Sequence, residues 1–434
     1  MIPNLPEPIV MILKNMGVIW SNVWWIVLPA LFAPFFWYWW NYYIHYKWLV
    51  AIRWKLLEIK IPKEILQTPR AMEQIFAAAH APYSYGLRFL EIHWEGKGEY
   101  FMSFEFVSLG GEIHLYLRTP AQFQNLMESA IYSQYPNAEV SEVDPNDDYV
   151  RKMPKVMPNK VFQTHGLEFV LQKESCYPIR TYISFEDPVE ERRVDPISAL
   201  TELMSKLKSE EQIWVQFLIR PTGGDWKDEC DELVNKMMGR DKKAKTPSPP
   251  LFGVTLQEAV RSPFEHPSLE AKKEERKNND FKFLILSPTE KEALEGIEQK
   301  TAKLGFETTL RFIYVDHRDS FSRDNVMGVM GVFRQFSTQN LNLLRPYKPT
   351  MTAAVHGLFK ETRLNYRRRV IFERYRDLSM SPKKPTPILN IEELATICHF
   401  PITAVTSPQL QRIESKKGTP PPNLPILEDE RQYE

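Results

Sequence analysis

Apolar and polar residues fall into three regimes along this 434-residue chain. The first is an unbroken apolar block. Residues 15–46 contain no Asp, Glu, Lys or Arg, and residues 18–40 supply the roughly 20 apolar positions that a helix needs to cross a hydrocarbon core. From 69 to 378 the pattern breaks into short alternating or helix-period stretches divided by turn residues. Beyond 378 neither period is visible. There Pro382, Pro385, Pro387, Pro401, Pro408, Pro420, Pro421, Pro422 and Pro425 predict an extended, proline-rich tail over 379–434.

The apolar block predicts one membrane-spanning helix over 18–40. Trp20, Trp24 and Trp25 crowd one end and Trp37, Trp39 and Trp40 the other, as rings at headgroup level do. Pro29 and Pro34 lie between them; spanning helices tolerate proline better than helices in water, and a kink is expected there. A buried helix of a soluble core rarely goes uncharged for so long. A cleaved signal peptide needs small residues after its apolar core, where this chain has Trp37-Tyr38-Trp39-Trp40. A two-span hairpin would need about 40 apolar residues, which the block does not supply. Lys47, Arg53, Lys55 and Lys60 follow the span and Lys14 alone precedes it. This asymmetry predicts a short extracytoplasmic segment over 1–17 and a cytoplasmic body at the cell membrane. Residues 41–68 mix Tyr and Trp with spaced Lys and Arg, which predicts a helix lying along the inner interface.

The periodic region predicts an α+β fold. A helix over 69–79, strands over 87–94, 100–107 and 112–117, a helix over 121–135 and a strand over 138–143 suggest helices stacked on an antiparallel sheet. Gly96 with Gly98, and Gly110-Gly111, mark the hairpins. Strands within 161–185, a helix over 196–207, the apolar strand 213–219 and a helix over 226–238 complete a first α/β region, 69–238. Residues 239–280 read as a flexible, charged and proline-rich linker. A strand at 281–286, a helix over 288–304, a strand over 307–315 and a helix over 323–336 belong to a second α/β region, 281–378. The alternation predicts two ferredoxin-like units behind the transmembrane helix.

Composition adds little about partners, since 55 basic residues balance 55 acidic ones. Three widely separated cysteines, Cys176, Cys230 and Cys398, give no disulfide framework and no zinc spacing, which fits a reducing compartment. No phosphate-binding G-x-x-x-x-G-K-S/T run is present, and nine histidines are scattered singly. Gly223-Gly224 reads as a turn, residues 316–319 as a solvated loop, and Cys398-His399 as a packed strand end. No catalytic, cofactor or metal site is expected. One charge cluster stands out: residues 345–377 hold nine basic against three acidic side chains. Arg363, Arg367, Arg368, Arg369, Arg374 and Arg376 alternate there with Tyr366, Phe372 and Tyr375. Such a helix can grip nucleic-acid phosphates, sit on anionic lipid, or simply be a solvated face.

Glu393-Leu394-Ala395, His399-Phe400-Pro401, Ser415-Lys416-Lys417 and Asn423-Leu424-Pro425 succeed one another in residues 390–425. This succession resembles the stretch that precedes the nucleotide-binding core in membrane-anchored ATPases of type IV secretion and conjugation systems, in the HerA/FtsK-like superfamily. Asp195-Pro196, residues 211–216, Arg220-Pro221 and Trp226 resemble the N-terminal region of the same proteins. The chain ends about nine residues after Asn423-Leu424-Pro425, where that family has its P-loop motor. The resemblance therefore implies the non-motor half, with the P-loop ATPase on a separate polypeptide. His399, Phe400, Pro401, Lys416 and Lys417 become candidate motor-docking residues, DNA a candidate partner, and homo-oligomerisation an expectation because such motors are rings. The competing reading is a membrane scaffold or lipid-surface protein with no motor. An enzyme ranks third.

Overall fold

Side chains alternate across a strand, so every second residue of a strand covered on both sides must find a different core. That rule organises this molecule. The computed structural model describes residues 7–62, 67–83, 86–185, 195–238, 287–352, 359–380, 386–401 and 412–413. The expected linker and the expected strand at 281–286 lie outside the described residues. Two units are compact in themselves: Met1–Trp54 with Ser84–Tyr100, and Lys55–Tyr83 with Phe101–Glu434.

The first unit is built on α1 (Glu7–Ala51), a helix of 45 residues that runs through Pro29 and Pro34 without a break. It is longer at both ends than the predicted 18–40. Residues 87–94, expected as a strand, instead form the short helix α3 (Phe89–His93). Its first turn is closed by Glu91, which accepts a hydrogen bond from the Arg88 backbone N–H, and this capping overrides the apolar alternation.

The second unit is α+β. Its elements are β1 (Trp54–Pro62), α2 (Arg70–Ala79), β2 (Met102–Leu109), β3 (Glu112–Pro120), α4 (Gln124–Gln134), β4 (Glu139–Glu142), α5 (Tyr149–Lys152), β5 (Phe162–Leu171), α6 (Ser198–Ser205), β6 (Gln212–Pro221) and α7 (Asp225–Met237). They continue with α8 (Pro288–Thr301), β7 (Gly305–His317), α9 (Arg323–Arg334), β8 (Leu344–Pro346), α10 (Lys360–Arg376), β9 (Ile388–Asn390), α11 (Ile391–Ile397) and β10 (Arg412–Ile413). All ten strands join one sheet, ordered β10-β1-β3-β2-β6-β7-β5-β8, with β4 also on β1 and β9 also on β7. The pairings β1–β4, β2–β3, β2–β6, β5–β7, β5–β8, β6–β7 and β7–β9 are antiparallel, and the short β1–β10 contact is parallel. Gly110 and Gly111, both at positive φ, make the tight turn that sets the β2–β3 register with Leu109 opposite Glu112.

Three expectations are overturned here. Residues 54–62 are a strand rather than part of an interfacial helix. Leu57, Ile59 and Ile61 face the core between Glu58 and Lys60, and that alternation outweighs the aromatic and basic residues around it. The boundary between a region 69–238 and a region 281–378 does not exist: β6 and β7, one from each, pair from Gln212 opposite Val315 to Pro221 opposite Phe306. Residues 379–434 are not extended throughout, because β9 pairs with β7 and α11 is a capped helix inside the core.

The larger core lies on one face of the sheet. There Phe104, Phe106, Phe217, Phe312 and Tyr314 meet Ile75 and Phe76 of α2, Met127 and Ile131 of α4, Met204 of α6, Phe333 of α9 and Leu394 of α11. The opposite face carries a smaller core of Val107, Tyr116, Tyr149, Trp214, Ile313, Phe372 and Tyr375, covered by α5 and α10. A third cluster joins Trp226 and Cys230 of α7 to Ile297 of α8 and Cys176. Cys176 and Cys230 form a disulfide across 54 residues, with Cα atoms 5.2 Å apart. The expectation of unpaired cysteines fails because packing of α7 brings together two positions whose spacing carries no signal; Cys398 is free and buried.

Candidate functional site

The anchor residues face outward. Trp20, Trp24, Trp25, Trp37 and Trp39 are 43–60% exposed and Pro29 and Pro34 are exposed, while Trp40 is half-buried. Residues Trp20–Ala51 form an apolar stretch of 32 residues with none of its hydrophobic window buried, long enough to cross a membrane. Of the expected basic flank, Lys47 and Arg53 are exposed near the end of α1, but Lys55 and Lys60 are strand residues. Lys55 is paired with Glu142.

The arginine-rich segment forms α10, as predicted, but the structure does not assemble its six arginines into one outward patch. Arg368 is 9% exposed, and Arg367 donates to the Met351 carbonyl at 3.2 Å. Arg369 pairs with Glu373 at 2.8 Å, Arg376 with Asp377 at 2.9 Å and Arg374 with Glu168 at 3.6 Å. Arg363 and Arg369 are exposed on the outer side.

Beneath α10 the sheet face holds a connected buried polar network. Arg311 of β7 donates to Glu168 Oε1 at 2.6 and 3.1 Å, to Gln216 Oε1 at 2.9 Å, and to the carbonyls of Arg374 and Ser379 at 2.8 and 2.7 Å. Gln216 passes the chain to Glu105, which also accepts from the Tyr149 hydroxyl at 2.8 Å and from Arg118 at 3.3 Å. Arg118 reaches Asp148 at 2.8 Å, and the Tyr149 and Tyr375 hydroxyls touch at 2.7 Å. Burial pushes both tyrosine hydroxyls well above their ordinary range, so they stay neutral hydrogen-bonding groups.

Where this cover ends, over β1 and β3, an open cleft of about 540 Å³ is lined by Glu58, Lys60, His114, Tyr116, Asp147 and Lys152 among others. His114 Nδ1 and Glu58 Oε1 are 2.7 Å apart, and His114 Nε2 lies 4.0 Å from Glu112. The His114 hydrogen bond holds the Glu58 carboxyl below the usual carboxylate range. Such a pair can orient a polar ligand or hold a proton. Both imidazole nitrogens face carboxylates, so no nucleophile is presented to the ring. The sequence hides this pair because the basic and aromatic residues around β1 mimic an interfacial helix; the strand alternation around Glu58 is the signal that marks it.

The candidate docking residues are core residues. His399 Nε2 is 2.8 Å from Asp195 Oδ1 and its Nδ1 is 2.8 Å from the Ala395 carbonyl; Phe400 is 4% exposed and packs on Tyr135, and Pro401 is buried. At the start of α11 Asn390 caps the helix by accepting from the Glu393 N–H, while the Glu393 carboxylate accepts from the Asn390 and Ile179 N–H groups and pairs with the fully buried Lys300 at 2.9 Å. Burial pushes the Lys300 ammonium down from its ordinary range against the pull of Glu393. The Glu-Leu-Ala and His-Phe-Pro runs therefore clasp the chain to the sheet rather than present a docking surface. Lys416 and Lys417 lie outside the described residues. Among the described residues no cluster of three or more His, Cys, Asp and Glu side chains is arranged to hold a metal ion.

A family model described as "Domain of unknown function (DUF8128)" matches residues 50–412, from the end of α1 through β10. No curated protein matches the chain.

Proposed function

The chain belongs to the DUF8128 family, and from that premise we propose that it is a membrane-anchored platform without chemistry of its own, an accessory component of a type IV secretion or DNA-translocation machine that serves a separate P-loop ATPase. The observation that carries the anchoring is α1, whose apolar stretch Trp20–Ala51 is 32 residues long with none of its hydrophobic window buried and runs into the family domain. Alkaline extraction tests it: the full chain is expected in the membrane pellet, and recovery in the supernatant would overturn the reading. The motor half of the proposal rests on the resemblance in residues 390–425. With residues 399–401 in the core, recruitment falls to the segment that includes Lys416 and Lys417. Deleting residues 414–434 should abolish capture of the ATPase, and undiminished capture would sink the idea. DNA contact falls to the exposed Arg363 and Arg369 and should weaken steeply with salt. The platform acts as a homo-oligomer beneath a ring motor.

The strand order supports two ferredoxin-like halves. β1-α2-β2-β3-α4-β4 lie as β4-β1-β3-β2, and β5-α6-β6-β7-α9-β8 lie as β8-β5-β7-β6, joined back to back through β2 and β6. The boundaries of these halves differ from the predicted regions. The remainder of the expected proline-rich tail lies outside the described residues.

Orientation has two readings. The basic residues after α1 favour a cytoplasmic body. The Cys176–Cys230 disulfide favours an oxidising compartment, hence an extracytoplasmic body. Protease added to right-side-out vesicles decides: cleavage of the body supports the second reading, protection the first. A membrane scaffold with no motor is favoured by the internal pairing of Arg369, Arg374 and Arg376. Liposome binding without DNA or ATPase binding would establish it.

A further inference from the structure

Residues 86–100 belong to the same unit as α1 and use their polar groups inward. Trp40 Nε1 donates to the His93 carbonyl at 3.0 Å, His93 Nδ1 is 2.6 Å from Asn41 Oδ1, and His45 Nδ1 is 3.0 Å from the Gly96 carbonyl oxygen. Three of the charged side chains pair locally: Lys97 lies 2.7 Å from Glu95 and 3.5 Å from Glu91. Beside the exposed Arg88 and Glu95, the large side chains that face outward are apolar. Phe89 and Leu90 are each 66% exposed, Trp94 is 67% exposed and Ile92 39%. This inverts the arrangement of a water-facing loop, where apolar side chains turn in and charges turn out.

The height of the segment along α1 says what solvent it meets. Counting about 30 Å of hydrocarbon from Trp20 at 1.5 Å per residue places the far boundary near Trp39 and Trp40. His93 and Trp94 meet α1 at that level, with ring centroids 5.3 Å from Trp37 and 5.9 Å from Trp40. Gly96 and Tyr100 meet it further out, at His45 and at Trp48, 5.3 Å away. The chain thus touches α1 at the hydrocarbon edge and climbs away from it. Gly96 permits the return: its φ is +68°, and a Cβ there would lie 2.4 Å from the Ile44 backbone.

We propose that Phe89, Leu90, Ile92 and Trp94 form a second, non-spanning membrane contact that inserts into the glycerol and upper acyl region of the leaflet from which α1 emerges. The inference rests on α1 crossing the membrane. Because Glu91, Glu95 and Lys97 are internally paired, insertion is driven by apolar burial and does not require anionic lipid.

The test uses the full chain in phosphatidylcholine vesicles, carrying an environment-sensitive fluorophore at Leu31→Cys, Leu90→Cys or Met327→Cys. These positions have matched exposures of 65%, 66% and 63%. The native cysteines are bonded or buried and do not compete for label. Quenching lipids carry a spin label near the headgroup or deep in the acyl chain. The label at 31 should be quenched most by the deep spin label. At 90, quenching should be several-fold stronger from the shallow than from the deep one, and at 327 absent. Absence of quenching at 31 overturns the spanning reading itself. Quenching at 31 with position 90 behaving like 327 overturns this inference alone, as does shielding of position 90 by cross-linking to a second copy of the chain.

Discussion

Arg311 shows how one buried charge is made tolerable: its guanidinium is fully buried and all five of its hydrogen bonds end on protein acceptors. Two of those acceptors are backbone carbonyls at and beyond the end of α10, so the charge fixes where that helix stops. Arg311→Met should cost about 3–5 kcal/mol, since Glu168 would be left charged and buried. Replacing Glu168 as well should recover part of that loss, measured by denaturant unfolding of both variants. His165, buried on the same sheet, has its pKa lowered to about 4, chiefly by burial and then by the nearby Arg368 and Arg323. The unfolded chain takes up that proton near pH 6.5, the folded one near 4, so stability is complete above about 6.5 and is lost as pH falls through this window. His165→Leu should flatten that acid limb by up to about 3 kcal/mol, at 1.36 kcal/mol per pH unit. An unchanged pH profile in the variant would assign the acid sensitivity elsewhere.

Elements with a strong local signal were legible. The glycine pair at 110–111 and its flanking alternation announced β2 and β3, and the helix expected over 288–304 is α8, its N-terminus closed by a capping box of Ser287 and Glu290. β1 was hidden by Lys55, Lys60 and the tryptophans before it, which mimic an interfacial helix, although Leu57, Ile59 and Ile61 carry the period of two. The loss of β1 removed half of the cleft with it, because Glu58 and His114 meet only when β1 and β3 are neighbours. The disulfide and the Arg311 network were not legible, since both join residues from elements far apart in sequence. At α3 the test of local design is Gly96→Ala. A left-handed φ costs a non-glycine residue roughly 1–2 kcal/mol, and the added carbon would strike Ile44 besides. Amide exchange in residues 86–100 should quicken while β6 and β7 stay protected.

For the whole second unit, β2–β6 pairing over eight residues makes the two halves share their interior edges. Neither half can leave without stripping a ladder from the other, so unfolding should be a single transition by both near-ultraviolet and far-ultraviolet dichroism. Two separated midpoints would show the halves to be independent. The clasp adds a constraint of time. β9 and α11 enter the centre of this sheet, where Leu394, Ala395 and Ile397 are fully or nearly fully buried, yet they are made some 340 residues after α1. At synthesis rates of about 5–20 residues per second, tens of seconds separate the two events. With α1 as the proposed anchor, the helix reaches its bilayer while the body behind it still lacks the piece that closes its core, and attachment precedes completion of the fold.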